Sequence, residues 1–429
     1  MLRQTVDFDW QIGDELTWTW GEPSPTNEPS GSSVSESQVA LALLRSVILF
    51  VAALCTVGSL PIPDDQLARL QAQQAVRFAL TQEQRLQARG ERQQYHALVD
   101  TTVTSRWQNN WRTAFENGLE QEDGAPLTLL AVDAQQEMAV ATVLIEDPAP
   151  EWGNPRLYRE KRYYRSRGQS WLRTLPTANF WGEVKTIETV HFRLEYYEPD
   201  GAAVEATSKR LDTIYATLYH RLALVPPIQR EKQIIAIVPD LINNWRSYEN
   251  RVEITTPTLA PVPALLTDEE YLTQIIANRM IYFGVQEAMA RTRTGTEYRW
   301  NLMLWGVRSW LLQELVGQQS PWAVEAEAAL RTFLRTQPHI DLEMVNRWYS
   351  VDQPNATEIM ARYILAEAIV TYALATYGTD RLPILLQDFS VYSRWKDLIP
   401  RAFGVPLEEF EAGWRAYVQE RYGPVDSEQ

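Results

Sequence analysis

Hydrophobic and polar positions divide the chain into stretches of different period. The first 38 residues carry none: Gly21–Gln38 (GEPSPTNEPSGSSVSESQ) is Pro, Ser, Gly and Glu, which bury too little apolar surface to offset ordering entropy. Residues 1–38 are expected to be a disordered tail. Val39–Leu60 (VALALLRSVILFVAALCTVGSL) is predominantly apolar, with Arg45 its only charge. At about 1.5 Å per residue it is long enough to cross a hydrocarbon core of about 30 Å, so residues 39–60 read as a single transmembrane helix. The competing reading, a buried soluble helix over Ser46–Leu60, lacks a local core, because the tail precedes it and Pro61, Pro63, Asp64 and Asp65 follow.

Beyond residue 64 the period becomes helical, first through Leu67, Leu70, Ala75, Phe78 and Leu80, then through Tyr95, Leu98, Trp107, Trp111 and Phe115. Alternating β-branched and aromatic stretches follow at Leu127–Asp133, Glu137–Glu146 and Arg156–Arg173, punctuated by Asp147-Pro148 and Gly168-Gln169. Residues 64–181 are thus expected to form a small α+β unit. From Thr186 the pattern predicts a strand over Thr189–Tyr197, a turn at Pro199-Asp200-Gly201, a helix over Ala203–Leu222, strands at Gln233–Val238 and Arg251–Pro261, and then helices to the end. One such helix carries an apolar stripe through Met360, Tyr363, Ile364, Ala368, Tyr372 and Leu374. The fold class predicted for the folded part is α+β.

Composition narrows the function classes. Forty Lys and Arg against 55 Asp and Glu give −15, which excludes a broad grip on nucleic acid phosphates. Met1–Leu44 holds seven acids against Arg3, so the tail is acidic; Trp10, Trp18 and Trp20 within it suit a short docking motif for a partner. The single cysteine, Cys55, excludes an internal disulfide framework and a cysteine-rich metal site. The basic run Arg159-Glu160-Lys161-Arg162-Tyr163-Tyr164-Arg165-Ser166-Arg167 suggests anion binding, but on an alternating strand a solvated face paired to nearby acids is the expectation. Asn355-Ala356-Thr357 matches a glycosylation sequon. The C-terminal tryptophans, Trp300, Trp305, Trp310, Trp322, Trp348, Trp395 and Trp414, suit either a ligand groove or a multi-helix core.

Two resemblances emerge from these residues. The layout of residues 64–181 resembles the cone-shaped nuclear-transport-factor-like (SnoaL-like) fold, which implies a curved sheet around a long helix and a cavity. HFRLEYYEPDG, YHRLAL, IIAIVPD, the helix beginning Asp268-Glu269-Glu270-Tyr271-Leu272, the helix around Trp310 and the terminal FGVPLEEFEAGWRAYV together resemble the peptidase MA-like group of gluzincin metallopeptidases. That resemblance covers about Phe192–Arg421, and the peptidase-like domain is expected over residues 186–423. It implies a small mixed sheet followed by a helical half, with H-E-x-x-H on a helix binding zinc and a glutamate on a later helix as third ligand. Here the chain departs from the family. Ala277-Asn278-Arg279-Met280-Ile281 stands in place of H-E-x-x-H, and Gln313 stands where the third ligand belongs, with Glu314 one position late.

No catalytic residue, cofactor or metal is therefore expected at the degenerate positions Ala277, Asn278, Ile281, Gln313 and Glu314. None of His96, His191, His220 and His339 has a second histidine at ligand spacing. Glu287 and Glu314 are candidates for an acid pair if their helices meet, with a salt-bridged role the simpler expectation.

The leading expectation is a single-pass cell-membrane protein whose large C-terminal part is extracytoplasmic and binds peptide or protein without cutting it, or acts as a scaffold or sensor. The arginine count, Arg45 on the N side of the span against Arg69 and Arg77 after it, slightly favours the opposite orientation; large domains translocate largely regardless of it. Two alternatives remain. One is an active membrane-bound zinc metallopeptidase using two of His191, His220 and His339 with a carboxylate; the other is a structural spacer with a small ligand in the cone.

Overall fold

The computed structural model describes residues 64–100, 102, 127–135, 137–146, 157–168, 170–225, 231–240, 242, 246–248, 250–290, 297–317, 323–337, 339–346 and 356–423. The tail, Val39–Leu60, the pattern at Trp107, Trp111 and Phe115, Trp322, Trp348 and Asn355 of the sequon lie outside these residues. Asp64–Gln429 is one compact unit, and it is α+β as expected.

Its first layer is α1 (Asp64–Ala88), lying on a sheet of β1 (Leu127–Ala134), β2 (Met138–Glu146), β3 (Leu157–Arg167) and β4 (Ser170–Thr174), with the short α2 (Arg92–Ala97) after α1. Alternation sends Ala139, Ala141 and Val143 of β2 inward, and these small side chains let Val76, Ala79 and Leu80 of α1 approach the sheet closely. The β3–β4 hairpin closes between Arg167 and Ser170, a two-residue connection whose twist needs positive φ; Gly168 supplies it at 65°. The far edge of β3 is shared: β4 pairs with Tyr163–Arg167, while the two-residue β10 (Val262–Pro263), from much later in the chain, pairs with Tyr158 and Arg159.

After the single turn α3 (Ala178–Trp181), the second sheet runs β5-β6-β7-β9-β8. Its strands are β5 (Lys185–Glu188), β6 (Phe192–Tyr196), β7 (Gln233–Val238), β8 (Arg246–Tyr248) and β9 (Arg251–Thr255). β6, β7 and β9 are parallel, with antiparallel edges β5 and β8, and α4 (Gly201–Arg221) makes the crossover from β6 to β7. Parallel register places Leu194 beside Ile235, and Ile235 beside Val252, on one apolar face. α4 and α5 (Asp268–Ala290) pack side by side on the core.

The rest is helical: α6 (Asn301–Val316), α7 (Ala323–Thr336), α8 (Leu342–Asn346), α9 (Ala356–Tyr377), α10 (Leu382–Phe389), α11 (Trp395–Phe403) and α12 (Leu407–Tyr422). α9 packs against α6, α7 and α12. A stripe was too narrow an expectation for it: Ala361, Leu365, Ala366, Ile369, Val370 and Ala373 are buried as well, because neighbours surround the helix. This all-round burial accounts for its composition. Among the described residues Thr357–Tyr377 is the one helix long and apolar enough to cross a membrane, with a mean hydropathy of 1.3, yet 56% of that stretch is already buried inside the protein. At its crossing with α6, Gly306 is required: a Cβ there would lie 2.7 Å from the Ala366 carbonyl oxygen. Trp300, Trp395 and Trp414 are fully buried and stack with Phe389 or fill the core, which makes them anchors of the helical half.

Candidate functional site

α5 carries the degenerate motif, and its start is locally specified. Thr267 and Glu270 form a reciprocal capping box: the Thr267 N–H (2.8 Å) and hydroxyl (2.9 Å) donate to Glu270 Oε2, and the Glu270 N–H donates back to Thr267 Oγ1 at 3.2 Å. Asp268, Glu269 and Glu270 in the first turn also suit the helix dipole. Midway along, Ile276, Met280 and Phe283 of the helix share a depression with Ile235 of β7 and Ile254 of β9.

With the start fixed, the 3.6-residue period decides where the motif residues point. Ala277 and Ile281, four apart, both face the core and are fully buried. Asn278 is exposed on the opposite side. Between them Arg279, only 8% exposed, turns toward β7 and β9. It lines a narrow depression of about 10 Å³, room for about one water molecule, together with Ile235, Ile254, Ile276, Met280 and Phe283. The guanidinium stacks on Phe283 at 3.8 Å from the ring centroid and lies 5.5 Å from that of Tyr282. Burial lowers its pKa to about 10, with the Tyr282 hydroxyl as a smaller opposing influence. Neither alanine nor isoleucine offers a metal a lone pair.

The second half of the motif is dispersed too. On α6, Leu311 is buried in the core and Gln313 is exposed. Glu314 ion-pairs with Arg221 at the end of α4 (2.5 Å), and Arg221 also donates to Thr379 Oγ1 at 2.8 Å. Glu287 accepts a hydrogen bond from the Tyr219 hydroxyl at 3.2 Å. The two acids proposed as a pair therefore each serve the C-terminal turn of α4 through a different partner.

The histidines do not converge in ways a metal would use. His191 lies against the Tyr215 ring, 4.5 Å between centroids, and His96 packs edge-on to Tyr95. His220 and His339 are exposed. Among the described residues no group of three His, Cys, Asp or Glu side chains is placed to hold a metal ion.

The basic run on β3 departs from its expectation on one face. Arg159 and Lys161 on the outer face pair with Asp268 (2.7 and 3.7 Å), as a charged face paired to acids should. On the inner face, however, Glu160 and Arg162 are drawn into the interior beneath α1. Arg162 bonds Glu83 and Glu160 (both 3.2 Å), and Arg173 bonds Glu83 (3.3 Å) and Glu160 (2.5 Å). Glu83 is 2% exposed. Burial pushes the Glu160 carboxyl up, but the two guanidiniums more than offset it and the net shift is downward. The interior between α1 and the sheet is, at this end, occupied by these four paired charges. Burial, reinforced by Glu83, also raises the Tyr95 hydroxyl to about 12.

One site was missed in the sequence. Asp200, read there as a turn residue, is 3% exposed at the start of α4, and its Oδ1 accepts the hydroxyls of Thr256 (2.6 Å) and Thr258 (3.0 Å). Oδ2 is buried without a hydrogen bond, and burial raises the carboxyl pKa against the pull of those hydroxyls. The only local signal was the Thr255-Thr256-Pro257-Thr258 run, which says nothing about a carboxylate more than fifty positions away. No family model matches this chain, and no curated protein matches it.

Proposed function

We propose that the chain is a membrane-anchored, non-catalytic peptidase-like protein, held in the cell membrane by Val39–Leu60 with its large C-terminal part outside, where it binds an extended peptide segment. The observation that carries this reading is the orientation of α5. The two positions that would present zinc ligands are apolar and point into the core, while Arg279 between them lines a narrow depression beside β7 and β9. The antiparallel edge strand β8 next to β9 offers a peptide backbone a ladder, and Arg279 with Phe283 offers it a side-chain subsite.

Elemental analysis of the purified full chain combined with peptide anisotropy tests the proposal. Peptides with an acidic side chain next to an apolar one bind without being hydrolysed. Arg279→Ala weakens them roughly ten- to a hundredfold, as loss of a charge-assisted contact should. Stoichiometric zinc with chelator-sensitive hydrolysis overturns the reading.

A further inference from the structure

The outer face of α1 does not fit the rest of this acidic protein. At helical spacing Leu67, Leu70 and Phe78 fall on one side, opposite the Val76, Ala79, Leu80 and Glu83 that face the sheet. They are 44%, 45% and 66% exposed. Charge segregates with them. Past Asp64 and Asp65 in the first turn of the helix, the single carboxylate from Gln66 to Gly90 is Glu83, which is turned inward onto Arg162 and Arg173. Arg69, Arg77, Arg85 and Arg89 are all exposed, and among the described residues Arg89 alone of the four makes an ion pair, a 3.8 Å contact to Glu91. In a chain of net charge −15 this helix presents an apolar stripe flanked by cations. That combination matches the boundary between acyl chains and anionic headgroups: leucine and phenylalanine enter the boundary, and guanidiniums bond phosphate.

We infer that α1 is a membrane-contact helix that lies along an anionic phospholipid surface through Leu67, Leu70 and Phe78, with Arg77 and Arg85 on the headgroups. Charge complementarity selects lipid over a second copy of this chain, whose same face is equally cationic and would repel it. The sequence places this face at the correct distance, because the apolar run ends at Leu60, four positions before α1 begins. The inference rests on the membrane-anchored reading above, and the test separates the two.

The full chain, with Cys55→Ser and Phe78→Cys carrying an environment-sensitive fluorophore, is reconstituted into neutral phosphatidylcholine vesicles and into vesicles with one quarter phosphatidylglycerol. Phe78 is exposed enough for the substitution to be tolerated. The probe is expected to move into an apolar environment in the anionic vesicles at low salt. Raised salt reverses this, and Arg77→Glu with Arg85→Glu weakens it about fivefold or more per guanidinium. A probe at the exposed Glu409 of α12 stays aqueous throughout. A probe at 78 that remains aqueous in anionic vesicles overturns the inference. So does one shielded equally in both lipids, meaning cover by this chain, or one shielded only at high protein density, meaning a second copy. Carbonate extraction reports anchoring independently: an integral chain with an aqueous probe refutes the contact alone. A chain that washes off neutral vesicles but shows the arginine-dependent signal on anionic ones refutes the anchor alone.

Discussion

The layer beneath α1 and the helical half bury charge in opposite ways. Under α1, Glu160 and Arg162 hold each other ionised: the carboxyl falls below its ordinary range and the guanidinium rises above its own. In the second part of the chain, burial pushes Glu367 and Asp388 up, Arg308 down and Arg279 down to about 10, with Ser309 and Arg401 only partly offsetting the effect on the two acids. Paired charges keep their ionisation and specify which strand meets which helix. Where burial is the largest influence the shift runs toward the neutral form, and the fold around those groups is held by apolar shape, as with Trp300, Trp395 and Trp414.

That difference can be broken from either side. Glu83→Ala leaves two buried guanidiniums facing one carboxylate and should cost about 3–5 kcal/mol in denaturant unfolding. The wild type should also weaken with acid. The depressed Glu160 pKa means its contribution is present above the unfolded carboxyl value and is lost as pH falls through the folded one. On the helical side Gly306→Ala forces α6 and α9 apart and should cost about 1–3 kcal/mol, equally at pH 5 and pH 8, since no charge is involved.

Asp200 has the opposite sign from Glu160. Its raised pKa favours the protonated folded form, so its contribution is full below the unfolded value and is lost as pH rises through the folded one. Asp200→Asn keeps an oxygen for Thr256 and Thr258, and should raise stability at pH 7 by roughly 1 kcal/mol while removing that pH dependence. The smallest effect belongs to Glu314→Gln, where a partly exposed pair with Arg221 is lost. Thermal unfolding should move by less than about 1 kcal/mol, and a larger change would give this acid a role beyond pairing.

What the sequence made legible follows from range. β7, Gln233 followed by five apolar residues, is where periodicity placed it, and the β3–β4 hairpin follows from Gly168. The start of α5 is written in the Thr267–Glu270 box, so the inward turn of Ala277 and Ile281 was within reach of helical period alone. The burial of Glu160 and Arg162 was not, because the partner that makes it affordable, Glu83, lies 79 positions before Arg162. The same holds for Asp200 and for the all-round burial of α9, both decided by elements distant in the chain.

The β3–β10 pairing carries a consequence for biosynthesis. The first sheet recruits its last strand from Val262–Pro263, and Arg159 on that edge then reaches Asp268, 109 positions further on. A ribosome that has released only the α1-and-hairpin region has exposed a β3 edge with no mate for its first residues. The N-terminal layer must therefore wait for the second sheet to be synthesised, and a chain truncated near residue 181 should leave that edge open to pair with itself.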